Sequence, residues 1–140
     1  MEQNDKVIAV DFFCGAGGMT NGLTQAGIHV IAVVDNQSKC EQTYIQNTNP
    51  DGSNPAFLCK DIFPKTDVHP SGEQHEISKS LSFLIDQLAD KAGVRPKLIF
   101  AICAPCQPFT KITRIPMTEG RKFKRSNDSN LKFLLISLDF

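Results

Sequence analysis

The sequence lacks any apolar run near the roughly 20 residues that a membrane-spanning helix needs, which argues against a membrane partner. The N-terminus is polar and acidic, so it also lacks the features of a secretory signal peptide. The five cysteines are odd in number and do not have the spacing of a disulfide framework. We therefore expect reduced thiols in a cytoplasmic protein of bacterial type.

Net charge is absent as well, because 15 basic residues balance 15 acidic ones. The balance hides a basic run between residues 111 and 125. Such a run can contact nucleic-acid phosphates, although a solvated loop is the commoner explanation. Its basic members are Lys111, Arg114, Arg121, Lys122, Lys124 and Arg125.

Strand-like and helix-like stretches alternate along a chain whose 140 residues suffice for about one domain. Short apolar runs predict strands over 7–13, 30–34, 56–59 and 98–102. Apolar residues at helical spacing predict helices over 19–26, 38–46, 77–92 and 131–140. This alternation predicts an α/β fold with a doubly wound parallel sheet, and such sheets bind ligands at the carboxyl ends of their strands.

A glycine-rich turn with Gly15, Gly17 and Gly18 follows the first predicted strand. Glycines there let a ligand approach the backbone at a helix N-terminus, although they also serve simple tight connections. Asp35 ends the second strand, where nucleotide-binding sheets place an acid on ribose hydroxyls, but it could equally cap the next helix. Asp61 follows the third strand, where an acid is more often a turn residue. Because no P-loop lysine follows the turn, these positions together predict a site for a nucleoside without a phosphate chain.

Cys106 follows the fourth predicted strand and lies between Pro105 and Pro108, which predicts a rigid backbone around an exposed sulfur. A cysteine nucleophile in such a place needs thiolate character. Cys103 and Cys106 also form a Cys-x-x-Cys pair, which is typical of redox sites and of half a zinc site. A second close pair of ligands for zinc is missing, so we predict no metal, and a redox site does not explain the glycine turn.

These stretches jointly resemble the cytosine-C5 methyltransferase family. Residues 11–22 resemble its first motif, and Asp35 falls where the second motif carries an acid. Tyr44 and Asn47 match the Tyr-x-x-Asn that follows it. The third motif is matched by Asp61 and Ile62, and the Pro-Cys-Gln motif by residues 105–110.

The resemblance implies a Rossmann-like, S-adenosylmethionine-dependent methyltransferase fold with S-adenosyl-L-methionine as the cofactor. It implies that Asp35 binds the ribose hydroxyls and that Asp61 binds the adenine amino group. The other cofactor-binding positions that it implies are Phe13 and Asn36 beside the adenine, Ile62, and the backbone of Gly15, Ala16, Gly17 and Gly18.

The family's chemistry implies that Cys106 adds to C6 of a flipped cytosine, whose C5 then receives the methyl group. The same resemblance makes Gln107, Thr110, Lys111 and Arg114 candidates for nucleic-acid contact. We expect DNA as the substrate, as in restriction–modification, and tRNA is an alternative because its methyltransferases share the Pro-Cys-Gln motif. A non-catalytic cofactor-binding remnant and a redox protein stay open as well.

The sequence also departs from the family. Asn36 stands where an apolar or aromatic residue is common, Cys103 replaces a glycine, and residues 64–95 form a long segment without an assigned function. The later motifs and the target-recognition domain are missing, so we expect residues 1–140 to be a partial catalytic domain that is inactive without a complementing chain. We also expect apolar surface to be uncovered at residues 7–10 and 98–102.

Overall fold

The computed structural model describes residues 6–104. The predicted helix over 131–140 lies outside these residues. Those described form strands and helices in strict alternation: β1 (Val7–Phe12), α1 (Gly18–Gln25), β2 (His29–Asp35), α2 (Ser38–Tyr44), β3 (Ala56–Cys59), α3 (Gln74–Ala92) and β4 (Lys97–Ile102).

The four strands form one sheet in the order β3-β2-β1-β4, and every neighbouring pair is parallel. This confirms the predicted α/β class. Phe12 pairs with Val34 on one side and with Ile102 on the other, and Asp35 pairs with Cys59. The carboxyl ends of all four strands therefore meet at one edge of the sheet. Right-handed crossovers with this strand order put α1 and α2 on one face and α3 on the other.

The central strand β1 is buried on both faces, as its apolar run predicts. Ala9 shares a buried cluster with Val30, Val33 and Tyr44 on the face of α1 and α2. Ile8, Val10 and Phe12 alternate with it and point to the opposite face, and they are fully buried. Helix α3 buries an amphipathic stripe made of Ile77, Leu81 and Ile85.

Strand β2 contains one extra residue where it pairs with β1. Ala9 pairs with Val30, but Val10 pairs with Ala32, so Ile31 is the additional residue. The bulge keeps Val30 and Val33 on the same face. Strand β3 begins to pair with β2 only at Ala32. At Val30, where β3 does not pair with β2, the buried side chain of Asn49 bonds to the β2 backbone instead. It accepts from the Val30 N–H at 2.8 Å and donates to the Val30 carbonyl at 2.9 Å.

Two predictions about exposure are corrected. Residues 8–10 are buried rather than uncovered, because β1 lies between β2 and β4. In α1 the inward position is Thr20, whereas Met19, which the apolar spacing favours, is 45% exposed. In β4 three apolar side chains are 36–40% exposed, namely Leu98, Ile99 and Ile102.

Within residues 6–104, no helix combines the length and the apolar character needed to cross a membrane.

Candidate functional site

The turn between β1 and α1 has an unusual backbone. Phe13, Gly15 and Gly17 all have positive φ angles, of 58°, 50° and 89°. Strand β1 therefore ends at Phe12 rather than at residue 13, because a left-handed residue cannot continue a strand. For a bulky residue such as Phe13 this conformation costs on the order of 1–3 kcal/mol. Two backbone bonds support it: the Phe13 N–H donates to the Val34 carbonyl, and the Gly17 N–H to the Cys14 carbonyl, both at 2.8 Å.

Gly17 is required by close packing against the end of α2. A Cβ atom at Gly17 would overlap the Asn47 side-chain nitrogen and would lie 2.9 Å from the Tyr44 ring. The Asn47 amide also donates to the Ala16 carbonyl at 3.2 Å and to the Tyr44 carbonyl at 3.1 Å. The Tyr-x-x-Asn pair therefore fixes the turn from the side of α2.

Gly15 and Gly18 have the opposite environment. Apart from chain neighbours and the helix backbone, no described residue has a heavy atom within 4 Å of the Cβ position at either glycine. Gly17 is the N-cap of α1, and no side chain caps this helix. The first amides of α1 therefore border a space that no described residue fills, and a helix N-terminus favours an anionic group there.

A buried chain of hydrogen bonds ties both helices to β1. The Tyr44 hydroxyl donates to Thr20 Oγ1 at 2.8 Å, and the Thr20 hydroxyl donates to Asp11 Oδ2 at 2.7 Å. Burial raises the pKa of both Asp11 and Tyr44, although the bonds with Thr20 oppose the shift. The second Asp11 oxygen, Oδ1, is buried and has no partner among the described residues.

Asp35 links the glycine turn to the start of α2. Its Oδ2 accepts from the Gly15 N–H at 3.0 Å, and its Oδ1 accepts from the Gln37 N–H at 2.9 Å. Gln37 is the N-cap residue of α2, and no side chain caps the helix itself. Asp35 therefore does not cap helix α2, which was the alternative role for this residue. Each carboxylate oxygen retains a second acceptor direction.

Asp61 and Asn36 are brought together at the ends of β3 and β2, where both line a cavity of about 260 Å³ with Cys59, Lys60, Ser71 and Glu73. Asp61 Oδ1 accepts from the Phe63 N–H at 3.1 Å, which is the local turn bond that a lone aspartate often makes. Its Oδ2 accepts from the Ser71 hydroxyl at 2.8 Å. Ile62 is a buried core residue and does not line this cavity.

The three aspartates at this edge have no cationic partner in the described part of the chain. Among residues 6–104, no ion pair involves Asp11, Asp35 or Asp61. Lys60 lines the cavity, but its Nζ lies 2.8 Å from Glu73 and 2.6 Å from Glu76. Hydrogen bonds to these two glutamates raise the pKa of Lys60. The site therefore suits a ligand that is positively charged or rich in hydrogen-bond donors.

Two of the described cysteines, Cys14 and Cys40, have thiols that are harder to ionise than usual. Burial, followed by the charge of Asp35, raises the pKa of the Cys14 thiol to about 12. Burial also raises the pKa of Cys40, so both remain protonated at neutral pH. Between residues 6 and 104, no cluster of three or more His, Cys, Asp or Glu side chains could hold a metal ion.

The nucleophile and nucleic-acid candidates fall beyond the described residues. These are Cys106, Gln107, Thr110, Lys111 and Arg114. The structure does show where the chain leaves β4: the Cys103 N–H donates to the Phe12 carbonyl at 3.4 Å, directly beside the glycine turn.

Among the contributors to the site that are absent from the sequence-based set are Thr20, Lys60, Ser71 and Glu73. A polar residue on the inward side of α1 is a signal that could have identified Thr20, since buried hydroxyls need partners. Ser71 and Glu73 lie in the polar segment without an assigned function, and no local pattern there indicates that they contact Asp61.

Comparisons with known proteins extend beyond the residues that the structure describes. A family model described as C-5 cytosine-specific DNA methylase matches residues 7–127. The Type II methylase M.HgiDII of Herpetosiphon aurantiacus is 31% identical over 115 residues, which are 82% of this chain and 26% of that protein. From the same organism, the Type II methyltransferase M.HgiDI is 48% identical over 42 residues, covering 29% of this chain and 14% of that protein.

A third relative, the Type II methyltransferase M.HgiGI of Herpetosiphon aurantiacus, is 47% identical over 38 residues, covering 27% of this chain and 30% of that protein. The matches thus span 30% or less of each relative's own length. No solved structure matches the chain.

Alanine substitution should have opposite effects on stability at a closely packed glycine and at a glycine in open surroundings. Gly17→Ala should lower the free energy of unfolding by about 2–4 kcal/mol, because it adds left-handed strain to an overlap with Asn47. Gly22→Ala, in the same helix with open space around it, should raise it by about 0.5–1 kcal/mol. Urea denaturation of both variants measures the difference. Equal stability of the two variants would contradict the packing described for the turn.

Proposed function

Because the chain belongs to the C-5 cytosine-specific DNA methylase family, we propose that the protein methylates C5 of cytosine in DNA with S-adenosylmethionine as donor. The observation that carries this proposal is the open glycine turn, whose Gly15 amide is bonded to the acid that ends β2. DNA is favoured over the tRNA alternative because the matching family and the related Type II enzymes are described as DNA methylases or Type II methyltransferases. We place the reaction in the cytoplasm, on chromosomal DNA.

The residues of the turn fit the methionine and ribose parts of this cofactor. The uncapped N-terminus of α1, together with the open space at Gly15 and Gly18, can take the carboxylate of the methionine part. Asp35 retains one acceptor direction on each oxygen, which suits a pair of ribose hydroxyls. Phe13 and Ala16 are the remaining turn residues that we assign to the cofactor.

The cavity at the ends of β2 and β3 fits the adenine. Asp61 offers carboxylate acceptors to an amino group, and Asn36 lies on the same cavity wall. S-adenosylmethionine carries positive charge on its sulfonium and ammonium groups. The Asp35 carboxylate, which forms no ion pair among the described residues, favours such a cation, because opposite charges attract strongly at partly buried sites. We assign Ile62 a supporting role behind this cavity rather than a contact.

Bound S-adenosylmethionine supplies the methyl group. We assign Cys106 as the nucleophile: its thiolate forms a bond to C6 of cytosine and thereby makes C5 electron-rich. After methylation, loss of the C5 proton restores the ring and breaks the bond between Cys106 and C6. The cytosine must leave the helical stack for this attack. We assign Gln107, Thr110, Lys111 and Arg114 to contacts with the nucleic acid, where basic side chains neutralise phosphates.

Gly18→Ala should separate cofactor binding from stability. The added methyl group enters the open space where we expect the cofactor, so affinity for S-adenosylhomocysteine should fall by about 10- to 100-fold. Calorimetric titration measures the affinity, and Gly22→Ala is the matched control that should bind normally. Gly18→Ala protein that binds as tightly as the control would sink the site assignment, as would binding of NAD without any response to S-adenosylmethionine.

A mechanism-based trap tests the assignment of Cys106. When 5-fluorocytosine replaces cytosine in DNA, fluorine blocks loss of the C5 substituent, so a covalent protein–DNA adduct should accumulate. In the enzyme assembled with its complementing chain, denaturing electrophoresis in the presence of S-adenosylmethionine should show this adduct, and Cys106→Ser should abolish it. Cys103→Ser is the matched control and should leave the adduct intact. If Cys103→Ser abolished the adduct while Cys106→Ser retained it, the assigned nucleophile would be wrong.

A further inference from the structure

The segment after Asp61 returns to this residue through Ser71 and Glu73. The Glu73 N–H donates to the Asp61 carbonyl at 2.8 Å, and the Asp61 N–H donates to Glu73 Oε2 at 3.0 Å. The Ser71 hydroxyl completes the set by donating to Asp61 Oδ2 at 2.8 Å. The amide, the carbonyl and the carboxylate of Asp61 are thus all bonded by residues 71–73, which we call the Asp61 brace.

Gly72 allows the brace to reach Asp61. A Cβ atom at Gly72 would overlap the Phe63 carbonyl oxygen and the carbonyl group of Pro64. The backbone of the brace therefore lies against the backbone of residues 63 and 64, and only glycine permits this approach. The Gln74 N–H, which donates to the Phe63 carbonyl at 3.2 Å, holds the next residue in the same place.

Lys60 anchors the far side of the brace. Its ammonium group donates to Glu73 Oε1 at 2.8 Å and to Glu76 Oε2 at 2.6 Å. The bond from Lys60, and next the bond from the Asp61 amide, lower the pKa of Glu73. Glu73 therefore keeps its charge, and the brace keeps its bonds, at neutral pH. This support weakens only as the pH falls below the ordinary range of a glutamate.

The brace fixes which hydrogen-bonding groups a ligand meets at Asp61. An ionised carboxylate only accepts hydrogen bonds, and here the Ser71 hydroxyl and the Phe63 amide already occupy one direction at each oxygen. Asp61 lines the cavity, and each of its carboxylate oxygens can accept one further hydrogen bond. A ligand amino group can donate a hydrogen bond to these oxygens. A ligand carbonyl would be repelled, because its lone pairs would face those of the carboxylate.

We propose that Ser71 is a positioning residue which, through Asp61, makes the cavity selective for a 6-aminopurine over a 6-oxopurine. The inference rests on the proposed cofactor site and adds the source of its base selectivity. Residues 71–73 belong to the segment to which the sequence patterns assign no function, and this selectivity supplies one. Within the brace, the Ser71 hydroxyl is the group that bonds the carboxylate, because the other two bonds of the brace involve the Asp61 backbone. The Phe63 N–H bonds the other carboxylate oxygen.

The test compares two ligands that differ only at position 6 of the purine, S-adenosylhomocysteine and S-inosylhomocysteine. Calorimetric titration of the full chain should show that the adenosine form binds more tightly. Ser71→Ala should weaken the adenosine form by about three- to tenfold, the range for one lost hydrogen bond, and leave the inosine form unchanged. Ser71→Thr keeps the hydroxyl and should preserve the preference. Ser80→Ala removes a serine hydroxyl that bonds only the Glu76 carbonyl, so it serves as the matched control.

The three outcomes of this test separate the inference from the function on which it rests. A reduced preference in Ser71→Ala, with normal preference in Ser71→Thr and Ser80→Ala, supports the positioning role. Equal weakening of both ligands, or an unchanged preference, overturns it and leaves the cofactor site standing. If neither ligand binds the unaltered chain, the proposed function fails and the selectivity fails with it.

Discussion

The packing of Gly17 against Tyr44 and Asn47 is the contact on which the rest of the site depends. It brings the turn after β1 within reach of α2, so that the Tyr44 hydroxyl can bond Thr20 and, through it, Asp11. The same approach leaves the other side of the turn open. The close packing at Gly17 therefore determines which side of the turn a ligand can approach, namely the side of Gly15 and Gly18. A larger residue at this position would displace the turn and its bond to Asp35 together.

The burial of the Asp11 carboxyl group has an energetic cost for the fold. Burial raises the pKa of Asp11, which means that the folded chain holds this proton more tightly than the unfolded chain does. The contribution of Asp11 to stability is therefore largest at low pH and declines as the pH rises from its ordinary value of 3.8 through the raised one. A cation bound near Asp11 and Asp35 would offset this cost at neutral pH.

The apolar pattern predicts most of the fold because a parallel sheet needs strands that are buried on both faces. It cannot predict the left-handed Phe13, since no local preference favours that conformation in an aromatic residue. It selects Met19 over Thr20, because hydrophobicity ignores the hydroxyl that Asp11 and Tyr44 require. Ser71 and Glu73 contact Asp61 although they lie about ten residues further along the chain. Hydrophobic periodicity gives no information about such a contact. The positions of Asp35 and Asp61 at strand ends can be read directly from the sequence. Their roles, like those of Cys106 and the basic residues after it, stay predictions.

The most direct measurement of the proposed cofactor site is a titration of ¹⁵N-labelled protein with S-adenosylhomocysteine, followed by amide chemical shifts in NMR spectra. The site described here predicts that the largest changes occur at the amides of Gly15, Gly18, Asn36 and Asp61, which lie at the ends of β1, β2 and β3. The amides near Gly93, at the end of α3, should remain unchanged. Changes centred on α3, with none in the glycine turn, would contradict the account.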